Sequence, residues 1–345
     1  MIPAAAVTPA APVRSRARVP EDGAGAVTNG TVMPEFSIDP RTTVGHVHLR
    51  VADLERALGF YRDALGFREA WRAGDTVMLS SDGRYPFAVG LTATREAAPP
   101  GRRCGLYHAA FLLPGRAALG RLLRRLLERE VVLDGASDHL VSEALYLRDP
   151  EGNGVELYAD RPREQWMWNG HEIEMATREL DLRDLLAAGG DRSAPAAEGT
   201  RVGHVHLRVS DLGRAEAFYH GTLGFDVTVR RYSGALFMSA GGYHHHLGAN
   251  VWAGEGIPPA AQAGPGLWYF SVRLPEQAAL LTEAVRLRSS DTAAPPGPAD
   301  YGPGLGIAVR DLDGIGVALT ADHTSGPDRP AWTPDPFRLS TAPLS

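Results

Sequence analysis

The chain has 345 residues, of which 44% are hydrophobic and 22% charged, with a formal net charge of −6. This balance is typical of a folded protein of about two domains, and it excludes wholesale disorder. The acidic charge offers no basic surface for nucleic acid, and no apolar run approaches the ~18 residues of a membrane helix. A single cysteine, Cys104, excludes an internal disulfide and favours a cytoplasmic location.

The two ends of the chain differ in composition from its middle. Residues 1–40 are rich in Ala, Pro, Gly and Arg, and we predict a disordered extension there. Met33 stands just before the ordered pattern begins and is a candidate start of the native protein, which would make residues 1–32 dispensable. Residues 323–345 are rich in Pro and predict an irregular tail.

A long internal repeat organises the middle of the chain. Residues 44–67 read VGHVHLRVADLERALGFYRDALGF, and residues 202–225 read VGHVHLRVSDLGRAEAFYHGTLGF. The two segments are identical at 17 of 24 positions with an offset of 158 residues. Chance does not produce that identity, so the chain contains a duplicated unit of about 158 residues.

Each copy opens with a strand and a helix. Apolar and polar residues alternate over residues 46–51, which predicts a half-buried strand. Asp53 is suited to cap the helix that follows, and Gly66 to end it. Short apolar runs at residues 76–79 and 87–91 predict two further strands.

A fainter repeat divides each copy into two modules. A strand at residues 106–113 and a helix at 118–127 precede two strands, at 145–148 and 154–158. The second copy repeats this series with a strand at 267–274, a helix at 278–285 and strands at 306–310 and 317–320. We therefore predict four βαβββ-like modules: A (44–95), B (105–160), C (202–253) and D (266–320).

The predicted domains follow the chain. Modules A and B make an N-terminal domain at residues 41–160, and modules C and D make a C-terminal domain at residues 201–322. Residues 161–200 form a connector with one short helix at 178–186. The fold class is α+β.

Four modules of this kind, with His on a first strand and Glu on a last strand, resemble the vicinal oxygen chelate superfamily. Its members pair modules into curved mixed sheets that enclose a metal. The segment from His139 to Glu156 also resembles the signature of extradiol ring-cleavage dioxygenases: His139, five residues, Leu145-Tyr146, two residues, Asp149-Pro150, one residue, Gly152, three residues and Glu156. The one departure is Ser137, which stands where the signature usually has Gly, Asn, Thr, Ile or Val.

The resemblance implies a metal held by two His and one carboxylate, here His108, Glu156 and a third ligand. The ion would be Fe(II), with Mn(II) as the alternative, and the substrates a small aromatic diol and O₂. Such a triad leaves coordination positions open for both. Strand alternation supports the assignment, because Glu156, His108 and His204 all point away from the apolar faces of their strands. A homo-oligomer is expected by analogy.

Two histidines compete for the third position, because His46 opens module A and His204 opens module C in the same sequence context. In module D the counterparts of His108 and Glu156 are Trp268 and Ala318, so that module supplies no ligand at these positions. We favour His204, which pairs module B with module C and leaves module A to pair with module D.

The reason is a His-rich run, His244-His245-His246, which only module C contains. Family enzymes place their acid/base His in such a run, and the resemblance favours His245 with His246 as the alternative. Alternation along a strand would put His244 and His246 on one face and His245 on the other. Tyr146 and His139 are the remaining predicted catalytic residues.

Two other functions fit the same fold. One is a different metalloenzyme of the superfamily, such as a glyoxalase I-like isomerase or a thiol transferase. These usually need a fourth ligand, and module C offers Asn250 but no acid on that strand. The other is a non-catalytic protein that binds a small molecule, which predicts an incomplete metal triad.

Overall fold

The structure is a computed structural model that describes residues 36–97, 99, 101–289, 299–300 and 304–322. Most of the predicted N-terminal extension and the whole predicted tail therefore lie outside the described residues. Among the described helices, none is long and apolar enough to cross a membrane.

The N-terminal half contains two modules of the predicted type. Module A comprises β1 (Thr43–Val51), α1 (Leu54–Leu58) with a π-helical extension (Gly59–Ala64), β2 (Arg68–Ala73), β3 (Thr76–Ser80) and β4 (Val89–Ala93). Module B comprises β5 (Gly105–Leu112), α2 (Arg116–Glu128), β6 (Gly135–Asp138), β7 (Ser142–Arg148) and β8 (Gly154–Asp160). Asp53 caps α1 as predicted, since its side chain accepts the backbone N–H of Arg56.

The connector differs from its prediction. It contains a 3₁₀ turn (Arg163–Gln165), β9 (Trp168–Asn169), β10 (Glu172–Ile173), β11 (Arg178–Glu179) and α3 (Leu182–Gly189). The predicted helix at residues 178–186 begins too early, because the Asp181 side chain accepts the N–H groups of Arg183 and Asp184 and sets the start at Leu182. The first residues of that segment pair with β6 as a strand instead.

The C-terminal half repeats the two modules. Module C comprises β12 (Arg201–Arg208), α4 (Leu212–Glu216) with a π-helical extension (Ala217–Thr222), β13 (Asp226–Val229), β14 (Ala235–Ser239) and β15 (Leu247–Asn250). Module D comprises β16 (Gly266–Leu274), α5 (Gln277–Ser289), β17 (Ala299–Asp300), β18 (Gly304–Arg310) and β19 (Gly316–Asp322).

Two curved mixed sheets are built from these strands, and each takes one module from each half of the chain. Modules B and C form the BC sheet, in the order β11-β6-β7-β8-β5-β12-β15-β14-β13. Modules A and D form the AD sheet, in the order β17-β18-β19-β16-β1-β4-β3-β2. The predicted pairing of B with C and of A with D is therefore confirmed, and the fold class with it.

Both sheets turn their apolar residues to one shared core. Val47 and Leu49 of β1 and Val205 and Leu207 of β12 are fully buried in the same hydrophobic cluster. Burying each such side chain is worth about 1.5–3 kcal/mol. Because side chains alternate along a strand, the histidines between these residues face the other, concave side of each sheet.

Candidate metal centre

Three central strands of the BC sheet bring the predicted ligands together. His204 of β12 stands opposite Ala110 of β5, and Ala110 stands beside Glu156 of β8. His108 lies two residues before Ala110 on the same face. The three strands therefore bring the side chains of His108, Glu156 and His204 to one face of the sheet, around the small Ala110.

The donor atoms of the triad converge on one oxygen. His108 Nε2 lies 3.0 Å and His204 Nε2 lies 3.1 Å from Glu156 Oε2, and one donor atom from each residue falls within 4.8 Å of the others. All three residues are buried. His108 Nε2 has no hydrogen-bond partner among the described residues, despite its distance from the carboxylate. A cation bound between the three side chains would satisfy this buried nitrogen.

The charge states of the triad suit a divalent cation. Burial alone would raise the pKa of the Glu156 carboxyl, but the neighbouring imidazoles of His204 and His108 hold that pKa well below its ordinary value. Burial lowers the pKa of His204 to about 4. At neutral pH the cluster therefore offers an ionised carboxylate and an unprotonated imidazole, the forms that bind metal. Two nitrogens and one oxygen on one face fit Fe(II) or Mn(II).

A close backbone contact holds His204 in place. The ring of Tyr158, fully buried on β8, lies 4.9 Å from the ring of His204. Gly203 makes this possible, since a Cβ there would lie 1.8 Å from the Tyr158 hydroxyl oxygen. Glycine at position 203, before the candidate ligand, is thus required by the packing of the tyrosine.

Tyr146 and His139 form a second group beside the triad. The ring of Tyr146 lies 5.8 Å from that of His108, and its hydroxyl lies 2.6 Å from His139 Nε2. His139 Nδ1 lies 2.7 Å from the carbonyl oxygen of Ala176, which can only accept. His139 therefore donates a hydrogen bond from Nδ1 and accepts one from the Tyr146 hydroxyl at Nε2. The structure places Tyr146 nearer the triad and His139 behind it.

The His-rich run lies in the loop before β15, so the predicted alternation of its faces is wrong. The ring of His245 lies 4.1 Å from that of His204 and 4.9 Å from that of Phe237. Burial and the surrounding histidines place the pKa of His245 well below its ordinary value. Of the two candidates for the acid/base residue, His245 is the one whose ring packs against the triad.

His246 points elsewhere. Its Nδ1 lies 3.2 Å from the backbone nitrogen of Ala240, and its ring packs on Tyr243. It lines a separate cavity with Arg163 and Arg201. The alternation argument failed because a loop has no fixed face, and the neighbouring residues could not be read from the sequence.

The AD sheet holds His46 but no triad. His46 Nε2 lies 3.3 Å from the Tyr269 hydroxyl, and the side chain also bonds Ser271. The register corrects one prediction: since His206 pairs with His108 and His48 pairs with Tyr269, the counterpart of His108 is Tyr269 and not Trp268. The β1–β16 and β12–β5 pairings carry bulges at equivalent positions, so the difference reflects a one-residue error in aligning the two modules by sequence.

The sequence analysis gave no role to three residues beside the triad. Ala110 is the small residue between the ligands, and Asp160 and His244 are hydrogen-bonded to one another next to His245. Alternation along β8 places Asp160 on the same face as Glu156, so the sequence pattern could have identified Asp160 as a neighbour of the triad.

Comparison with known proteins agrees with this geometry. The family model described as "Glyoxalase/Bleomycin resistance protein/Dioxygenase superfamily" matches residues 43–157 and 201–319. The chain belongs to this superfamily. More particularly, it is 44% identical to the Catechol-2,3-dioxygenase of Bacillus subtilis (strain 168) over 258 residues, which cover 73% of this chain and 90% of that protein.

Solved structures share the fold at low sequence identity. A putative dioxygenase from Bacillus subtilis subsp. subtilis str. 168 has a TM-score of 0.56 at 12% identity, and the match covers 83% of this chain and 86% of that one. A glyoxalase I mutant from Zea mays has a TM-score of 0.50 at 16% identity, over 81% of this chain and 94% of that one. At these identities the likeness supports the architecture alone.

Proposed function

We propose that the protein is an Fe(II)-dependent extradiol dioxygenase that cleaves the ring of a small aromatic diol of the catechol class. The observation that carries the proposal is the buried cluster of His108, Glu156 and His204, with His245 and Tyr146 on its flanks. The name of the 44% identical relative supports the same activity. Both atoms of O₂ enter the product, and the ring bond beside the two hydroxyl carbons breaks to give a semialdehyde.

The three cluster residues would hold the ion, with Mn(II) as the alternative for the same donors. Fe(II) bound there would supply Lewis acidity toward the diol oxygens and the electrons for O₂ chemistry. A 2-His-1-carboxylate face leaves positions for both substrates. The ionised Glu156 offsets one positive charge, whereas the neutral imidazoles add none.

Two side chains handle the protons of the diol in this proposal. His245 is buried and uncharged at neutral pH, so its ring can take a phenolic proton and later return it. Tyr146 donates its O–H hydrogen bond to His139 and keeps its proton, which leaves its oxygen to accept a hydrogen bond from a diol hydroxyl. Burial raises the pKa of Tyr146 well above its ordinary value, so it acts as a neutral phenol.

Aromatic side chains supply the wall for the substrate ring. Tyr107 and Trp252 are 37% and 44% exposed, and their rings lie 5.3 Å apart. Each also lies within 5.3 Å of the His206 ring, which faces His108. A flat diol packing against this pair would exchange water for aromatic contact.

The experiment is anaerobic loading with Fe(II) followed by aerobic incubation with catechol, while O₂ uptake and the yellow ring-opened product are recorded. His204→Ala should abolish both signals. His46→Ala is the matched control, because it removes the equivalent histidine from the AD sheet and should leave both signals unchanged.

Other results would direct the assignment elsewhere. Loss of activity in His46→Ala but not in His204→Ala would move the active site to the AD sheet. Verified iron binding without O₂ uptake across a panel of aromatic diols would reject the dioxygenase. An isomerase or a binding protein of the same fold would then be the candidate.

A further inference from the structure

A chain of hydrogen bonds connects the end of β8 with the acid/base candidate. Asp160 lies four residues after Glu156 and its side chain is 24% exposed, whereas His244 is fully buried. Asp160 Oδ1 lies 3.0 Å from His244 Nε2, and His244 Nδ1 lies 2.7 Å from His245 Nδ1. The ring of His245 in turn packs on the ligand His204.

The partners fix the direction of these bonds. A carboxylate only accepts, so His244 donates from Nε2. The His244 tautomer with its N–H on Nε2 leaves Nδ1 as an acceptor. The short contact between the two Nδ1 atoms then requires His245 to donate. His245 therefore carries its proton on Nδ1, and no described residue forms a hydrogen bond with its Nε2.

We propose that Asp160 and His244 are positioning residues that select the tautomer of His245. They hold the proton on Nδ1 and so leave Nε2 as a free proton acceptor beside the triad. The proposal rests on the proposed function insofar as it assigns His245 the role of base. The tautomer itself is a property of the protein that can be measured without turnover.

Comparison with the AD sheet shows which part of this hydrogen-bond chain is common to both sheets and which part is specific to the BC sheet. In both sheets a tyrosine donates to an aspartate at the end of the last strand: Tyr243 to Asp160, and Tyr85 to Asp322. The tyrosine–aspartate bond is therefore common to the duplicated architecture. The next two residues differ, since His244 and His245 are replaced by Pro86 and Phe87 in the AD sheet. Only the sheet with the triad extends the bond into an imidazole chain.

The tautomer test uses long-range ¹H–¹⁵N correlation spectra of the full-length, metal-free protein, which report which ring nitrogen carries the proton. A His245→Asn spectrum assigns the His245 signals. We expect wild type to show the proton of His245 on Nδ1, and Asp160→Asn and His244→Leu to lose that preference. His244→Gln should retain it, because the amide can donate to Asp160 and accept from His245.

Two controls isolate the chain from the fold. Tyr243→Phe removes the tyrosine–aspartate bond but keeps the Asp160–His244 bond, so the tautomer should stay on Nδ1. Asp322→Asn makes the matched change in the AD sheet and should alter neither the tautomer nor the activity. Thermal unfolding of each variant identifies any that fail to fold.

Turnover of the Fe(II)-loaded enzyme gives the second readout. We expect kcat to fall by about 100-fold in Asp160→Asn and His244→Leu, the lower end of what a positioned base contributes, with KM nearly unchanged. A wild-type His245 protonated on Nε2, or an Asp160→Asn variant with unaltered tautomer and kcat, would overturn the proposal. If no diol is turned over but the tautomer behaves as expected, the proposed function fails while the positioning chain stands.

Discussion

Apart from the extra edge strand β11 of the BC sheet, the BC and AD sheets share one strand order and the same pair of histidines on a central strand, yet they differ at the residues that face their concave sides. Where the BC sheet has His108 and Glu156, the AD sheet has Tyr269 and Ala318. The Tyr269 hydroxyl bonds both His46 and His48 and so occupies the space between them. Two positions thus separate a candidate metal centre from a closed hydrogen-bonded cluster.

This difference shows that the concave faces are free to change while the architecture stays constant. The apolar residues of both central strands point into the shared core, so they fix the fold. The opposite face contributes less to the core and carries the candidate site. Tyr146 illustrates the same rule, since its counterpart in the AD sheet is Ala308.

Removing the carboxylate is the largest change that the comparison suggests. We expect Glu156→Gln to abolish ring cleavage and to weaken Fe(II) binding by more than the roughly 10–100-fold that loss of a supporting residue costs. A neutral amide neither offsets the metal charge nor binds as strongly. Metal titration with calorimetry measures the affinity. Glu283→Gln removes a different buried carboxylate and should bind iron normally, whereas equal loss in both variants would contradict the assignment.

Restoring the missing ligands to the AD sheet tests the comparison in the other direction. The double variant Tyr269→His with Ala318→Glu gives His46 the two partners that His204 has. We expect the metal content to rise from one ion per chain to two, because a cavity beside these residues leaves room for the longer acid. Elemental analysis after dialysis gives the stoichiometry. A content that stays at one would show that backbone differences also separate the sheets.

Tyr146→Phe should reduce activity without removing the metal. Losing one neutral hydrogen bond costs about 0.5–1.5 kcal/mol, so kcat should fall by about 2-fold to 10-fold. Steady-state O₂ uptake measures the change, and Tyr269→Phe is the control in the AD sheet, where activity should persist. Unchanged kcat in Tyr146→Phe would remove this residue from the proposed mechanism.

A smaller effect concerns the turns before the last strands. Asp311 accepts a hydrogen bond from Tyr219 in module D, as Asp149 does from Tyr61 in module B. Burial raises the pKa of Asp311 from 3.8 to about 6 in the folded protein. A raised carboxyl pKa stabilises the fold fully below the unfolded value and loses that contribution as pH rises through the folded value.

We therefore expect the stability of Asp311→Asn relative to wild type to improve between pH 4 and pH 7. The improvement in relative free energy of unfolding should be about 2–3 kcal/mol, because a change of one unit in the Asp311 pKa corresponds to about 1.4 kcal/mol. Urea unfolding at both pH values measures it. Asp149→Asn should shift in the same direction, since burial also raises the pKa of Asp149. A relative stability that falls with pH would refute the argument.

Much of this architecture could be predicted because duplication and alternation are properties of the sequence. The repeated segment identified the modules, and the alternation of β5, β8 and β12 put His108, Glu156 and His204 on one side. The absence of histidine at residues 85–89 selected the pairing of module B with module C. These are local patterns with a direct physical cause.

The remainder depended on features that no periodicity encodes. The pairing of β16 with β1 decides that Tyr269 rather than Trp268 is the counterpart of His108, and a one-residue shift changes the face of every side chain. The His-rich run lies in a loop, so its contacts are set by Asp160 and Tyr243 from elsewhere in the chain. The Tyr146–His139 bond likewise depends on Ala176 in the connector.

The interleaving of modules has a consequence for biosynthesis. A ribosome releases His108 and Glu156 well before His204, and β5 acquires its partner β12 only after the connector has emerged. Until then the nascent chain exposes unpaired strand edges, which other chains can bind. A chain interrupted near residue 160 therefore carries two of the three donors on an unfinished sheet. Binding of the ion would therefore mark the molecules in which the first strand of module C, with His204, has been translated.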